Sequence, residues 1–332
     1  MDSVITTEQL VKRFGSRTAV HGLDLEVRRG EVFGVIGPNG AGKTTTMRML
    51  LDIVRPTSGS ATVLGGNPST GGAALRRRIG FLPGELLLEG RANAGELLRH
   101  YGRISGAVPP RRIPELAERL GLDLSRQIKG LSKGNKQKLG LIQAFLHEPE
   151  LLVLDEPTSG LDPLVQQEFL AMVREAARAG QTVFLSSHVL SEVEHVADRV
   201  AILREGRLLS VSDVPSLRNG AGRHVRAVLA DADVAEVRAL LQAVPGLRDL
   251  AVDGDDGGTG ATVTATVDGA IDPLVKSLAR CTVTGLVVAE PDLEAAVLSL
   301  YAPAAASVPL LPAEQRTPTD RPLTTTGADR AR

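Results

Sequence analysis

The sequence predicts an α/β protein with a parallel core sheet, followed by a small α+β domain of ferredoxin-like order. Three observations carry this. Nearly continuous apolar runs begin at residues 32, 151 and 182 and alternate with helix-periodic segments, the pattern of buried parallel strands connected by helices. A glycine-rich stretch, GPNGAGKTT at residues 37–45, stands between one such strand and one such helix. From residue 223 onward the pattern changes to β-α-β-β-α-β.

In chain order, strands are expected at Leu23–Val27, Val32–Ile36, Ala61–Leu64, Leu151–Asp155, Thr182–Ser186 and Val200–Leu203. Helices are expected at Lys43–Ile53, Ala94–Ile104, Lys133–His147, Leu164–Ala179 and Ser191–Ala197, with Gly180 a natural stop for the fourth. The mostly helical pattern after Glu85 suggests a helical insert, taken as about residues 85–140 of a first domain spanning 1–218. A turn-rich stretch, 212–224, leads to the second domain, 222–302. There RHVRAVLA reads as strand, ADVAEVRALLQAV as helix, and LRDLAVDG with ATVTATVDG as a hairpin around DGDDGGTG. The helix DPLVKSLAR, the strand TVTGLVVAE and the helix DLEAAVLSLY follow. Residues 303–332, rich in Pro, Thr and Ala, read as a disordered tail.

Composition narrows the function classes. The chain has 332 residues, 42% of them hydrophobic, and a formal net charge of −1, so nothing draws it globally to nucleic acid or an anionic membrane. One cysteine, Cys281, allows no internal disulfide and suits a reducing compartment. The opening MDSVITTEQL is polar and acidic, unlike a signal segment. Residues 295–313 carry no charge, but Pro303, Pro309 and Pro312 would leave backbone groups unpaired in lipid, so this reads as a helix end running into the tail.

The stretch 37–45 matches G-x-x-x-x-G-K-[ST] in the strand–turn–helix context that motif needs. Gly37, Gly40 and Gly42, with Pro38, Asn39 and Ala41 between them, form a loop whose N–H groups can curl around a β-phosphate. Lys43 adds a point charge, the Thr44 hydroxyl can ligate Mg²⁺, and Thr45 continues into the helix. This predicts a nucleoside triphosphate and Mg²⁺ as ligands. In LLVLDEP, Asp155 ends an apolar strand where a carboxylate holds the metal through water, and Glu156 follows where it can polarise a water. Alone, that acidic pair would read as a helix cap; beside a P-loop it reads as hydrolytic. His188, ending TVFLSSH, is placed to sense the γ-phosphate, whereas His21, His100, His147, His195 and His224 read as surface or packing residues. LSKGNKQKLG at 131–140 is a second helix start suited to an anion, capped by Ser132 and with Gly134 leaving room for close approach.

The order GPNGAGKT, LSKGN, LLVLDEP, SGLD (Ser159–Asp162) and the His188 switch resembles the ATP-binding subunits of ABC transporters over about residues 3–218. With LPGE and the small C-terminal domain it further resembles drug-exporter subunits of the daunorubicin-resistance type, which partner ABC-2 permeases. The resemblance implies a P-loop NTPase fold: a RecA-like parallel core with an antiparallel β subdomain and a helical insert. It implies ATP as the nucleotide and head-to-tail dimers, in which Ser132, Lys133, Gly134 and Asn135 face the ATP held by the other chain's P-loop. Ser159 and Asp162 then belong to the loop crossing that interface, and Phe14 takes the place of the ring stacked on adenine. The family's glutamine contact to Mg²⁺ is replaced here by Gly84 and Glu85; either the Glu85 carboxylate takes over, directly or through water, or the contact is absent and coupling runs through the insert.

The function expected is therefore an ATP-hydrolysing motor with Glu156 and His188 catalytic, docked on the cytoplasmic side of a separate membrane permease and driving export of a drug-like or lipophilic substrate. A second copy or a homologous subunit completes the pair, and no nucleic acid is expected. Two alternatives remain at this level: a soluble ABC ATPase acting in translation or on DNA, and a regulatory module that holds ATP without turnover.

Overall fold

Three sheets organise the residues described by the computed structural model, which are 2–106, 108–220 (backbone only for 218–220), 222–254 and 260–289. The chain begins β1 (Ser3–Phe14), β2 (Arg17–Arg28), β3 (Val32–Ile36), α1 (Lys43–Leu50), β4 (Ser58–Val63), α2 (Gly72–Arg76) and β5 (Ile79–Leu82). Three helices follow, α3 (Ala94–Ser105), α4 (Arg112–Leu120) and α5 (Lys133–Phe145), then β6 (Leu151–Asp155), α6 (Pro163–Arg178) and β7 (Thr182–Ser187). Then come α7 (Leu190–Val196), β8 (Arg199–Arg204), β9 (Arg207–Asp213) and α8 (Val214–Gly220).

The core sheet has the order β5-β6-β7-β3-β8-β9, parallel except for the antiparallel edge strand β9. Every residue of β3, β6 and β7 is buried, as their unbroken apolar runs require. The two faces divide by alternation. Leu152 and Leu154 of β6 pack with Leu98, Leu116, Leu120, Leu141 and Phe145 from α3, α4 and α5. Leu151 and Val153 join the opposite core, where Met47 and Met49 of α1 meet Val4, Leu10, Val20 and Leu25 of a second, antiparallel sheet of order β2-β1-β4. Phe33 and Phe184, neighbours on β3 and β7, stack across that core with centroids 6.0 Å apart. The start of α3 is fixed by a capping box between Asn93 and Glu96.

Register positions the functional end of the sheet. Asp155 pairs with Ser186, and Ile36 pairs with Ser187, so the carboxyl ends of β6, β7 and β3 finish side by side. In open α/β sheets that edge is where ligands bind.

The second pattern forms β10 (Arg223–Ala230), α9 (Val234–Gln242), β11 (Leu247–Gly254), β12 (Gly260–Val267), α10 (Asp272–Leu278) and β13 (Thr282–Ala289). Its antiparallel sheet has the order β11-β12-β10-β13, which is the ferredoxin-like arrangement expected. Val225, Ala227, Leu229, Val263, Leu241 and Leu274 form a core of their own.

Several elements differ from expectation. β1, β5 and β9 were not foreseen: β1 mixes charged and apolar residues because only part of it is buried, and β5 is four residues long. The stretch read as turns at 212–224 instead continues β9 and then forms α8, whose start is held by the Ser216 N–H donating to Asp213 at 2.8 Å. The first helix stops at Leu50 rather than Ile53, with Asp52 at a positive φ of 56°. α5 crosses the expected end of the insert at 140 and packs into the sheet's own core. The tip of the DGDDGGTG hairpin, the last expected helix and the tail lie outside the described residues.

His147, just after α5, is half-buried, and the desolvation of its ring pushes its pKa below the usual 6.5. The unfolded chain therefore takes up this proton first, so the stability contribution is complete above pH 6.5 and is lost as pH falls below it. Chemical unfolding should show a decline of at most about 1.4 kcal/mol per pH unit from this group, and His147→Leu should flatten it.

Candidate active site

The turn from β3 to α1 is shaped by Gly42, which caps the helix at φ 103°, a conformation that side-chain-bearing residues rarely adopt. No side chain caps α1, and no acidic residue lies in its first turn, so the positive end of the helix faces open space. Lys43 folds back: its Nζ donates to the Gly37 carbonyl at 2.6 Å and lies 3.3 Å from Glu156 Oε1, with 6% of its side chain exposed. The cleft in front of the turn has a volume of about 460 Å³ and is lined by Phe14, Arg17, Ala19, Glu156 and the whole of Pro38–Thr45. Phe14 is half exposed at its mouth, with the Lys12 ammonium 5.0 Å from the ring centroid.

The strand ends supply the acids. Asp155 is 2% exposed; the Ser186 hydroxyl donates to its Oδ1 at 2.6 Å, and it has no ion-pair partner among the described residues. Glu156 sits at φ 49°, a costly backbone position for a residue with a side chain. Its N–H donates to Ser186 Oγ at 3.1 Å, and its Oε2 lies 2.5 Å from His188 Nδ1. One carboxylate thus joins the P-loop lysine to the switch histidine. Glu192 of α7 accepts from both Thr158 (2.7 Å) and Ser187 (3.1 Å), tying the segment after Glu156 to the residue before His188.

Gly84 lies against this centre: a Cβ there would sit 3.0 Å from Asp155 Oδ2. Glu85, expected as a stand-in metal contact, is exposed and is not among the residues that line the cleft.

The second helix start is a separate cluster. Ser132 caps α5 by accepting from the Asn135 N–H at 3.3 Å, and none of Ser132, Lys133, Gly134 or Asn135 lines the P-loop cleft. Lys133 donates to Ser159 Oγ at 3.2 Å, and Asp162 caps α6 by accepting from the Val165 N–H. The space read as room for a ligand at Gly134 has a second cause, since a Cβ there would lie 2.6 Å from the Gly160 carbonyl of the same chain. Sequence reasoning missed Gln137, which reaches from α5 to the carbonyls of Glu156 (3.2 Å) and Pro157 (2.9 Å). No local signal marks it. Ser186 was missed too, though a hydroxyl one place inside the strand that leads to His188 was a usable clue.

Comparison with known proteins settles the family. The sequence profile of ABC transporters matches residues 20–159. The bacitracin transport ATP-binding protein BcrA of Bacillus licheniformis is 38% identical over 240 residues, covering 71% of this chain and 78% of that one. The chain belongs to the ABC transporter ATP-binding family. The daunorubicin resistance ATP-binding protein DrrA3 of Streptomyces coeruleorubidus is likewise 38% identical, over 67% of this chain and 72% of its own length. A solved structure described as an ATP-binding subunit of an ABC transporter aligns with a TM-score of 0.62 at 30% identity, over 65% of this chain and 92% of that one. As a member of this family the chain is a P-loop ATPase that binds ATP. No helix among the described residues is long and apolar enough to cross a membrane.

The packing of Gly134 against Gly160 makes a prediction independent of nucleotide. Gly134→Val should destabilise the nucleotide-free monomer by about 1–3 kcal/mol, read as a lowered melting temperature. An unchanged melting temperature would assign the glycine to ligand approach alone.

Proposed function

We propose that this chain is the motor subunit of an exporter, hydrolysing ATP in the cleft described above. The observation that carries the catalytic assignment is the run Lys43–Glu156–His188, with separations of 3.3 and 2.5 Å, of which Lys43 and Glu156 line the P-loop cleft. In this reading the N–H groups of Gly40–Thr45 and the Lys43 ammonium hold the phosphates, while the exposed face of Phe14 receives the adenine. Glu156 accepts a proton from the attacking water, and His188 orients that carboxylate and reads the γ-phosphate.

The buried Asp155 carboxylate, lacking a basic partner among the described residues, fits a divalent cation, and Thr44 at the start of α1 offers the hydroxyl beside it. Mg²⁺ held there would neutralise phosphate charge. Gly84 leaves the Asp155 Oδ2 side open, and Glu85 is not needed for this arrangement.

The cleft has no residue from Ser132–Asn135 in its lining, although α5 has the single Ser132 side-chain cap at its start and no acid in its first turn. A second copy docked head to tail would bring its own Ser132, Lys133, Gly134 and Asn135 to this chain's γ-phosphate. Ser159 and Asp162, packed beside that helix start, then lie at the junction. The pore belongs to a separate permease, with this subunit peripheral on its cytoplasmic side. The names of two relatives, a bacitracin transport protein and a daunorubicin resistance protein, support a lipophilic, drug-like cargo moving outward.

Glu156→Gln should lower kcat by about 10²–10⁴-fold while leaving ATP affinity nearly intact, and His188→Ala should lower kcat in the same direction. Steady-state phosphate release together with equilibrium ATP binding checks both. Full turnover in Glu156→Gln would remove the carboxylate from the mechanism.

A further inference from the structure

Arg17 is a charged side chain for which neither the fold nor the assigned roles account. It stands opposite Phe14 in the β1–β2 register, across the Gly15–Ser16 turn, and it lines the nucleotide cleft. Its guanidinium Nη2 lies 3.7 Å from where a side chain on Gly40 would begin, above the middle of the P-loop. It is exposed and makes no hydrogen bond or ion pair with any described residue. The cleft's other cation is already engaged, since Lys43 lies 3.3 Å from Glu156. Lys12, nearby, donates to the Arg55 carbonyl at 2.7 Å and covers the Phe14 ring. A nucleotide entering this cleft therefore meets a lysine already paired with Glu156 and a guanidinium without a partner among the described residues. Arg17 also borders a second cleft of about 610 Å³, whose lining includes Glu205 together with Arg204 and Arg207.

We infer that Arg17 is a phosphate-binding residue of this cleft, reaching the β-phosphate from beside Gly40 of the P-loop. The inference rests on the reading of the cleft as the ATP site and adds a contact to it. A planar guanidinium can meet two phosphate oxygens at once, which an ammonium cannot. Because the contact is to the β-phosphate, it acts on ADP and ATP alike and lies away from the bond that breaks. Arg17 thus sets nucleotide affinity, and Glu156 sets the rate.

Calorimetric titration of the full chain with ATP, ADP and AMP, alongside steady-state ATPase assays, tests this in Arg17→Ala, Arg17→Lys and Lys43→Ala. Arg17→Ala should raise the Kd for ATP and ADP by about tenfold, leave AMP unaffected, and leave kcat at saturating ATP unchanged. Arg17→Lys should recover part of the affinity, as a single charge without the fork does. Unchanged Kd values in Arg17→Ala, a fall in kcat at constant Kd, or equal weakening of AMP would each overturn the assignment. Lys43→Ala separates the two levels: weakened ATP binding there with normal binding in Arg17→Ala sinks Arg17 alone. Normal ATP binding in Lys43→Ala would remove the nucleotide from this cleft, and the Arg17 contact with it.

Discussion

Glu156 is the residue on which the architecture converges. Its carboxylate lies between the Lys43 ammonium and the His188 imidazole, its N–H is bound by Ser186 at the end of β7, and its carbonyl receives Gln137 from α5. Four residues therefore agree on the place of one side chain, and they hold its backbone at a φ of 49° that would relax if they let go. Such over-determination is what keeps a catalytic carboxylate within reach of its water. It depends on the register of the core sheet, which ends β6, β7 and β3 together.

The same contacts explain how a helix remote from the P-loop can report on it. Gln137 lies on the helix whose first turn carries Ser132, and Gly134 and Lys133 of that turn pack on Gly160 and Ser159 a few residues beyond Glu156. The Ser132–Asn135 cluster and the Glu156 carboxylate are therefore neighbours within one chain. A displacement of α5 on docking would reach the Glu156 carbonyl through a single side chain. Glu192, holding Thr158 and Ser187 together, ties the switch segment to the same unit.

Much of this was legible in the sequence, and unevenly. The strands Val32–Ile36 and Leu151–Asp155 matched residue for residue because full burial leaves an unmistakable apolar run. The C-terminal sheet order could be read because β10 alternates cleanly between buried and exposed residues. β1 escaped because its twelve residues mix both, with a break at Gln9, where the φ is 44°. In the site, the P-loop, Asp155, Glu156 and His188 were visible as motifs whose residues are close in sequence or end strands. Gln137, Ser186 and Arg17 were not, since their roles arise from distances set by the fold. Gly134 shows the converse: its motif position was read as a ligand's requirement, and the chain's own Gly160 carbonyl already demands a glycine there.

The central claim is that the wall missing from this cleft comes from another copy of the chain. Mixing Lys43→Ala protein with Ser132→Arg protein tests it directly. Each variant alone carries one defect in every shared site, whereas a mixed pair contains one site built from an intact P-loop and an intact Ser132. The account predicts that ATP turnover, lost in either preparation, returns on mixing; turnover no greater than the sum of the two parts would contradict it.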